Sequence, residues 1–131
     1  MQELWQVPGG RNCVVNQVLY NVLSRGIEYD LLPWCQKNGV TVMAYCPLGH
    51  GELIEHSLLA EIGDRHGVGA SVVALAWALR SGKVLAIPES GSEDHVRDNA
   101  RALQLKLGPE ELALIDAASP PPRFKQPLDI L

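Results

Sequence analysis

Three short stretches of the chain set polar or aromatic side chains beside glycine and proline, the pattern of ligand-binding loops. In Ser90-Gly91-Ser92, small residues and backbone amides stand just before a segment opening Glu93-Asp94 that reads as a helix. Backbone N–H groups at a helix N-terminus bind anions, phosphate included, and Gly91 permits the close backbone approach that a phosphate needs. The same triplet also works as a plain turn with Ser92 as N-cap. Tyr45 closes an apolar run beside Pro47. It can stack on a flat ligand ring, or fill the core with its hydroxyl at the rim. Gln17 can offer a carboxamide to a ligand amide, or satisfy backbone groups. Cys46 fits a small buried hydrophobe more often than a reactive thiol. Arg65 and His66 read as solvated charge that complements a helix dipole.

Metal and disulfide chemistry have no pattern here. Cys13, Cys35 and Cys46 are odd in number and widely spaced, and His50, His56, His66 and His95 are dispersed, with no His-Glu-x-x-His. No metal site is expected, and free thiols suit a reducing, cytoplasmic compartment. The chain has 131 residues, 47% hydrophobic and 20% charged, with net charge −4. That is an ordinary globular composition for one domain. The mild acidity without a basic stripe argues against nucleic acid. No apolar run approaches the roughly 20 residues of a membrane span, and Met1 begins no secretory leader.

The elements that must hold these residues alternate. Glu3-Leu4-Trp5 reads as a helix end broken at Pro8-Gly9-Gly10. Cys13–Val18 is a β-branched run read as a buried strand, followed by a loop over 21–26. A helix is predicted over 30–38, with Asp30 as N-cap, Pro33 in the first turn and Gly39 as stop. Val40–Cys46 is nearly continuously apolar, as in a parallel strand buried on both faces. Helices follow from Ser57, taken as a cap, to His66 and from Ala70 to Arg80. A third strand is predicted over 84–87, a helix from Ser92 to about Leu103, and a last helix opened by Pro109 and ending near Ser119. This order implies a parallel α/β sheet. Ligands would then sit at the strands' carboxyl ends, at Gln17–Tyr20, Tyr45–Gly51 and Pro88–Asn99.

Taken together, Asn16-Gln17-Val18, Met43-Ala44-Tyr45-Cys46-Pro47-Leu48 with Gly51, Val73-Ala74-Leu75-Ala76-Trp77, and Ile87-Pro88-Glu89-Ser90 with His95 and Asn99 resemble the aldo-keto reductase family in order and spacing. The likeness runs from about Trp5 to Leu131 and is nearest to small bacterial members. It implies an NADP-dependent carbonyl reductase on an eight-stranded (β/α) barrel. A complete barrel takes about 250 residues, so residues 1–131 would form a single partial domain, the C-terminal half carrying the sixth to eighth strands. By the same resemblance Gln17 bonds the nicotinamide carboxamide and Tyr45 stacks on the nicotinamide ring. Cys46 stands where the family usually has serine near the pyrophosphate, and Leu48 contributes its backbone. Ser90, within the Ser90-Gly91-Ser92 turn, touches the adenosine phosphate, and Asp98 and Asn99 contact the adenine.

Two departures from the family pattern concern the cofactor. The lysine that pairs with the NADP 2′-phosphate is Glu89 here, and a common arginine is His95. A carboxylate facing a phosphate is repulsive, whereas it can accept from the ribose 2′-hydroxyl of NAD. Arg97 could compensate only from another helix face. The family's catalytic Asp, Tyr, Lys and His belong to the first four strands, so no residue of this chain is expected to be catalytic. The expected function is the cofactor-binding half of an NAD(P)H-dependent reductase of small carbonyl compounds. The alternative is a non-catalytic half-barrel that self-associates through open strands near Val15 and Val84, or complements a separate N-terminal half.

Overall fold

The computed structural model describes residues 1–130. Three short parallel strands, β1 (Val15–Leu19), β2 (Thr41–Tyr45) and β3 (Val84–Ala86), form one sheet in the order β1-β2-β3. The register pairs Gln17 with Met43 and Leu19 with Tyr45, and continues Met43 to Leu85. Helix α1 (Leu31–Asn38) crosses from β1 to β2. Helices α2 (Ser57–His66) and α3 (Ala70–Leu79) cross from β2 to β3, and α4 (Glu93–Ala100) and α5 (Pro109–Ala118) follow. Sheet, helices and their alternation make a partial (β/α) barrel.

The two faces of the sheet differ. Side chains of paired parallel strands alternate in step, so Val18, Val42, Ala44 and Val84 share one face, and all four are buried. They meet Ile62, Val73, Trp77 and Ile115 of the helical layer in one core cluster. Helix α3 is buried without a break from Val72 to Ala78, as its lack of a polar face requires. The other face carries Val15, Gln17, Thr41, Met43, Tyr45 and Leu85. Val15, Gln17 and Leu85 are exposed there, while Leu19, in the same phase, is buried. The outer edges of β1 and β3 have no strand partner among the described residues.

Local signals explain most element ends. Gly39 and Gly67 take left-handed backbone at φ 72° and 65° and close α1 and α2, the usual task of glycine at this position. Gly63 has a different reason: a Cβ there would lie 2.4 Å from the Val68 carbonyl oxygen.

Several boundaries differ from the sequence expectation. Leu4–Gln6 is a single 3-10 turn rather than a helix end. β1 starts at Val15, two residues late. Ser57 is the first helical residue of α2, with His56 at the N-cap and no side-chain cap bond. Asp30 holds the N-cap of α1 without a side-chain cap bond, and its carboxylate meets Lys125 at 3.0 Å instead. Helix α4 ends at Ala100, and a 3-10 turn covers Arg101–Leu103. His66 is not simply solvated charge: its Nε2 lies 2.6 Å from Glu111 Oε1 and ties α2 to α5.

Arg25 is 6% exposed, in a segment that reads as ordinary loop. Its guanidinium reaches Glu28 at 2.8 Å, Asp116 at 2.8 Å and the Ser119 carbonyl. Glu28 also accepts from Tyr20 Oη at 2.7 Å and from Arg80 at 2.8 Å. The two guanidiniums lie against the Trp77 ring, Arg80 at 3.8 Å and Arg25 at 4.9 Å from its centroid. Burial pushes the Tyr20 phenol well above its ordinary value, with Arg80 opposing and Glu28 adding to the shift.

Candidate functional site

The ends of β2 and β3 build a cleft. After Tyr45 the chain turns abruptly, with Cys46 at φ 47° and His50 at φ 55°. Left-handed backbone is uncommon for such residues and must be held by its surroundings. Asn21, 2% exposed at the end of β1, does part of this. Its Nδ2 donates to the Cys46 carbonyl at 2.9 Å, while its Oδ1 accepts from the Leu23 and Ser24 amides, each at 2.9 Å. The cleft, about 410 Å³, is lined by Tyr45, Cys46, Leu48, His50, Ile87 and Glu89 among others. Cys46 is only half-buried, which corrects the expectation of a small core residue. Its sulfur lies 3.7 Å from His50 Nε2.

Of the residues singled out from sequence, Tyr45, Cys46, Leu48 and Glu89 meet in this cleft. Gln17 shares a sheet face with Tyr45, on the neighbouring strand and two residues back in register. Ser90, Gly91 and Ser92 form the turn leading from Glu89 into α4. There the Ser90 hydroxyl already accepts from the Ser92 amide at 3.1 Å, and Ser92 Oγ caps the His95 amide at 3.5 Å. Nothing lies within 4 Å of a Cβ built on Gly91, so the backbone is open to approach.

Charge in this turn is mostly negative. Glu89, Glu93 and Asp94 are exposed carboxylates, and His95 is exposed beside them. Arg97 is spent on its own helix, 2.5 Å from Glu93 and 4.0 Å from Asp94. Asp98 pairs with Arg101 at 2.9 Å. Asn99 lies outside the main cleft, in an adjoining apolar groove of about 290 Å³ with Leu75, Leu85, Pro88, Val96 and Leu103. Pro88 lines both.

Asn21 and His50 were not picked out from sequence. Asn21 had a signal: Asn-Val-Leu-Ser after a strand is a turn in which the Asn side chain bonds its own backbone two and three residues on. His50 had none, because its approach to Cys46 depends on left-handed backbone at Cys46, Gly49 and His50 within one turn. Among the described residues, no three His, Cys, Asp or Glu side chains group as metal ligands, and no helix is long and apolar enough to cross a membrane.

Residues 1–120 match the sequence profile described as the Aldo/keto reductase family. Methylglyoxal reductase YeaE of Escherichia coli is 46% identical over 136 residues, covering all of this chain and 48% of its own length. Glyoxal reductase of Bacillus subtilis is 32% identical over 104 residues, covering 79% of this chain and 37% of its own. The crystal structure of an aldo-keto reductase from Klebsiella pneumoniae in complex with NADPH superimposes with a TM-score of 0.95 at 46% identity, over 99% of this chain and 48% of that one. The chain thus spans about half the length, or less, of the relatives it matches. Profile, identity and shared fold agree, and the chain belongs to the aldo/keto reductase family.

Proposed function

We propose that this chain is the cofactor-binding, C-terminal half of an NAD(P)H-dependent reductase of small aldehydes and ketones, residues 1–131 forming one partial domain with the sixth to eighth barrel strands. The observation that carries this is the shared sheet face of Gln17 and Tyr45, opening onto the cleft that ends at Glu89. A flat ring lying on Tyr45 has a carboxamide-bearing side chain within reach on the next strand. A pyrophosphate would run past Cys46 and Leu48, and the adenosine would meet Ser90 to Ser92 and the first turns of α4.

When bound, the nicotinamide supplies hydride. The chain's residues hold and orient it: Tyr45 fixes which ring face is presented, and Gln17 fixes its rotation. The cleft lining holds no lysine, and its one tyrosine, Tyr45, is assigned to the ring, so the proton for the carbonyl oxygen is assigned to the N-terminal half of the barrel. That is why the chain by itself is assigned binding and not turnover.

Glu89, Glu93 and Asp94 without a free arginine disfavour a 2′-phosphate, so the site accommodates NAD more readily than the family pattern implies. Titration of the chain with NADH and NADPH by fluorescence tests this. Glu89→Lys should strengthen NADPH binding by about 1–3 kcal/mol and leave NADH nearly unchanged. Equal effects on both cofactors would place Glu89 away from the 2′ position, and no binding of either would overturn the assignment.

A second reading, a non-catalytic half-barrel, draws on the open edges of β1 and β3. Such edges pair readily with further strands, from a second copy or from an N-terminal half.

A further inference from the structure

We propose that Cys46, with His50 as its proton acceptor, is a modification site for small disulfides at the mouth of the cleft. The two side chains face one another across a single turn, sulfur to Nε2 3.7 Å, and both line the cleft. Two tethers hold that turn: the Asn21 amide on the Cys46 carbonyl and the amide of Gly49 on the same carbonyl at 3.0 Å. The thiol is free and partly exposed. Neither of the other two thiols hydrogen-bonds an imidazole among the described residues. Cys35 is fully buried, and burial pushes its thiol up. Cys13 turns its sulfur to the Val15 carbonyl at 3.2 Å.

The thiolate is the nucleophile in thiol–disulfide exchange, and imidazole exchanges protons near neutrality. His50 Nε2 takes the Cys46 proton. The sulfur attacks one sulfur of a low-molecular-weight disulfide, the external S–S bond breaks as the new one forms, and the departing thiolate recovers the proton from His50. One disulfide is consumed and one is made, so no further oxidant enters. The adduct stands between Leu48 and Glu89 and closes the cleft to the cofactor. That consequence rests on the cofactor assignment; the modification itself does not.

The test exposes the chain to oxidised glutathione and follows each cysteine by peptide mass. Cys46 should be modified about tenfold faster than Cys13 or Cys35, and His50→Asn should slow Cys46 about tenfold while leaving Cys13 unchanged. Asn tolerates the left-handed backbone at this position, and the Cys13 rate reports on folding. Modification of Cys46 at the Cys13 rate, or indifferent to His50→Asn, overturns the proposal. Fast, His50-dependent modification that saturating NADH and NADPH both fail to slow keeps the pair and removes the cofactor from this cleft.

Discussion

Glu28→Gln is the most informative single change to the scaffold. One Glu28 oxygen accepts from Tyr20 at 2.7 Å and Arg80 at 2.8 Å. The other accepts from Arg25 Nε at 3.2 Å and from its terminal nitrogen at 2.8 Å. Burial alone would raise this carboxyl, but the hydrogen bonds from Arg25, Arg80 and Tyr20 and the Arg80 charge outweigh it and hold the group below its ordinary 4.5. The amide in Gln cannot accept all four donors, and it leaves two guanidiniums stacked on Trp77 without their shared counter-charge. Removing one partner of a buried ion pair costs about 3–5 kcal/mol. The Glu28 side chain is 12% exposed and Arg80 26%, so some solvent reaches the group and about 3 kcal/mol is the better figure. With a urea slope of about 1–3 kcal/mol per molar, the midpoint should fall by about 1–3 M at pH 7. The pH dependence has a definite sign. A carboxyl whose folded pKa is depressed contributes stability above its unfolded value and loses it as pH falls through the folded one. The gap between wild type and Glu28→Gln should therefore be full above about pH 4.5 and narrow below it. Urea titrations at pH 7 and at descending acid pH measure both. A midpoint shift under about 0.3 M at pH 7, or a gap that widens in acid, would refute the account.

Two further outcomes follow from other contacts. Asn21→Ala removes one of the two donors on the Cys46 carbonyl and leaves the Leu23 amide without its acceptor, so it should cost about 2 kcal/mol and raise backbone exchange at Cys46 to His50, read by hydrogen exchange. Unchanged protection there would mean that the turn holds itself. Glu111 accepts from the Gly108 amide at 2.7 Å and meets His66 at 2.6 Å, and although burial opposes it, these two contacts lower its pKa. Glu111→Ala should cost about 1 kcal/mol at pH 7, the worth of an N-terminal cap, and its effect should fade below about pH 4.5. Thermal melts at pH 7 and pH 4 check both.

How much was legible depended on how local the cause is. Val40–Cys46 reads as a parallel strand because its apolar run is continuous, and Gly39 and Gly67 read as helix stops because only backbone freedom is at issue. The Arg25 network was invisible for the opposite reason. Its partners lie as far off as Arg80, Asp116 and Ser119, and nothing near Arg25 in sequence distinguishes a buried guanidinium from a solvated one. The site divides in the same way. The order along the chain was enough to place Tyr45 at the end of β2 and Glu89 and Ser90 in the segment after β3, whereas Gln17, expected at a strand end, lies in the middle of β1. That order could not show that Ser90 spends its hydroxyl on the Ser92 amide, that Arg97 is held by Glu93 and Asp94, or that Asn99 opens into a separate groove. These are choices among competing partners, settled by rotamers and helix phase.

The sheet's two faces separate stability from binding. Tyr20, Trp77, Ile62 and Ile115 are fully buried in the main core on the helix side, and the ion network clamps that same side. Gln17, Leu85 and Ile87 on the other face are exposed and contribute little to holding the chain together. Gln17 and Tyr45 stand on that face, and Cys46, Leu48 and Glu89 line the cleft beside it. Changes there, such as Glu89→Lys, should alter binding with little effect on folding, whereas Glu28→Gln should alter folding first. Asn21 is the exception, because its buried side chain hydrogen-bonds both the segment after β1 and the Cys46 carbonyl. A substitution at Asn21 should therefore move stability and cleft geometry together, which is the mark of a residue that couples the scaffold to its site.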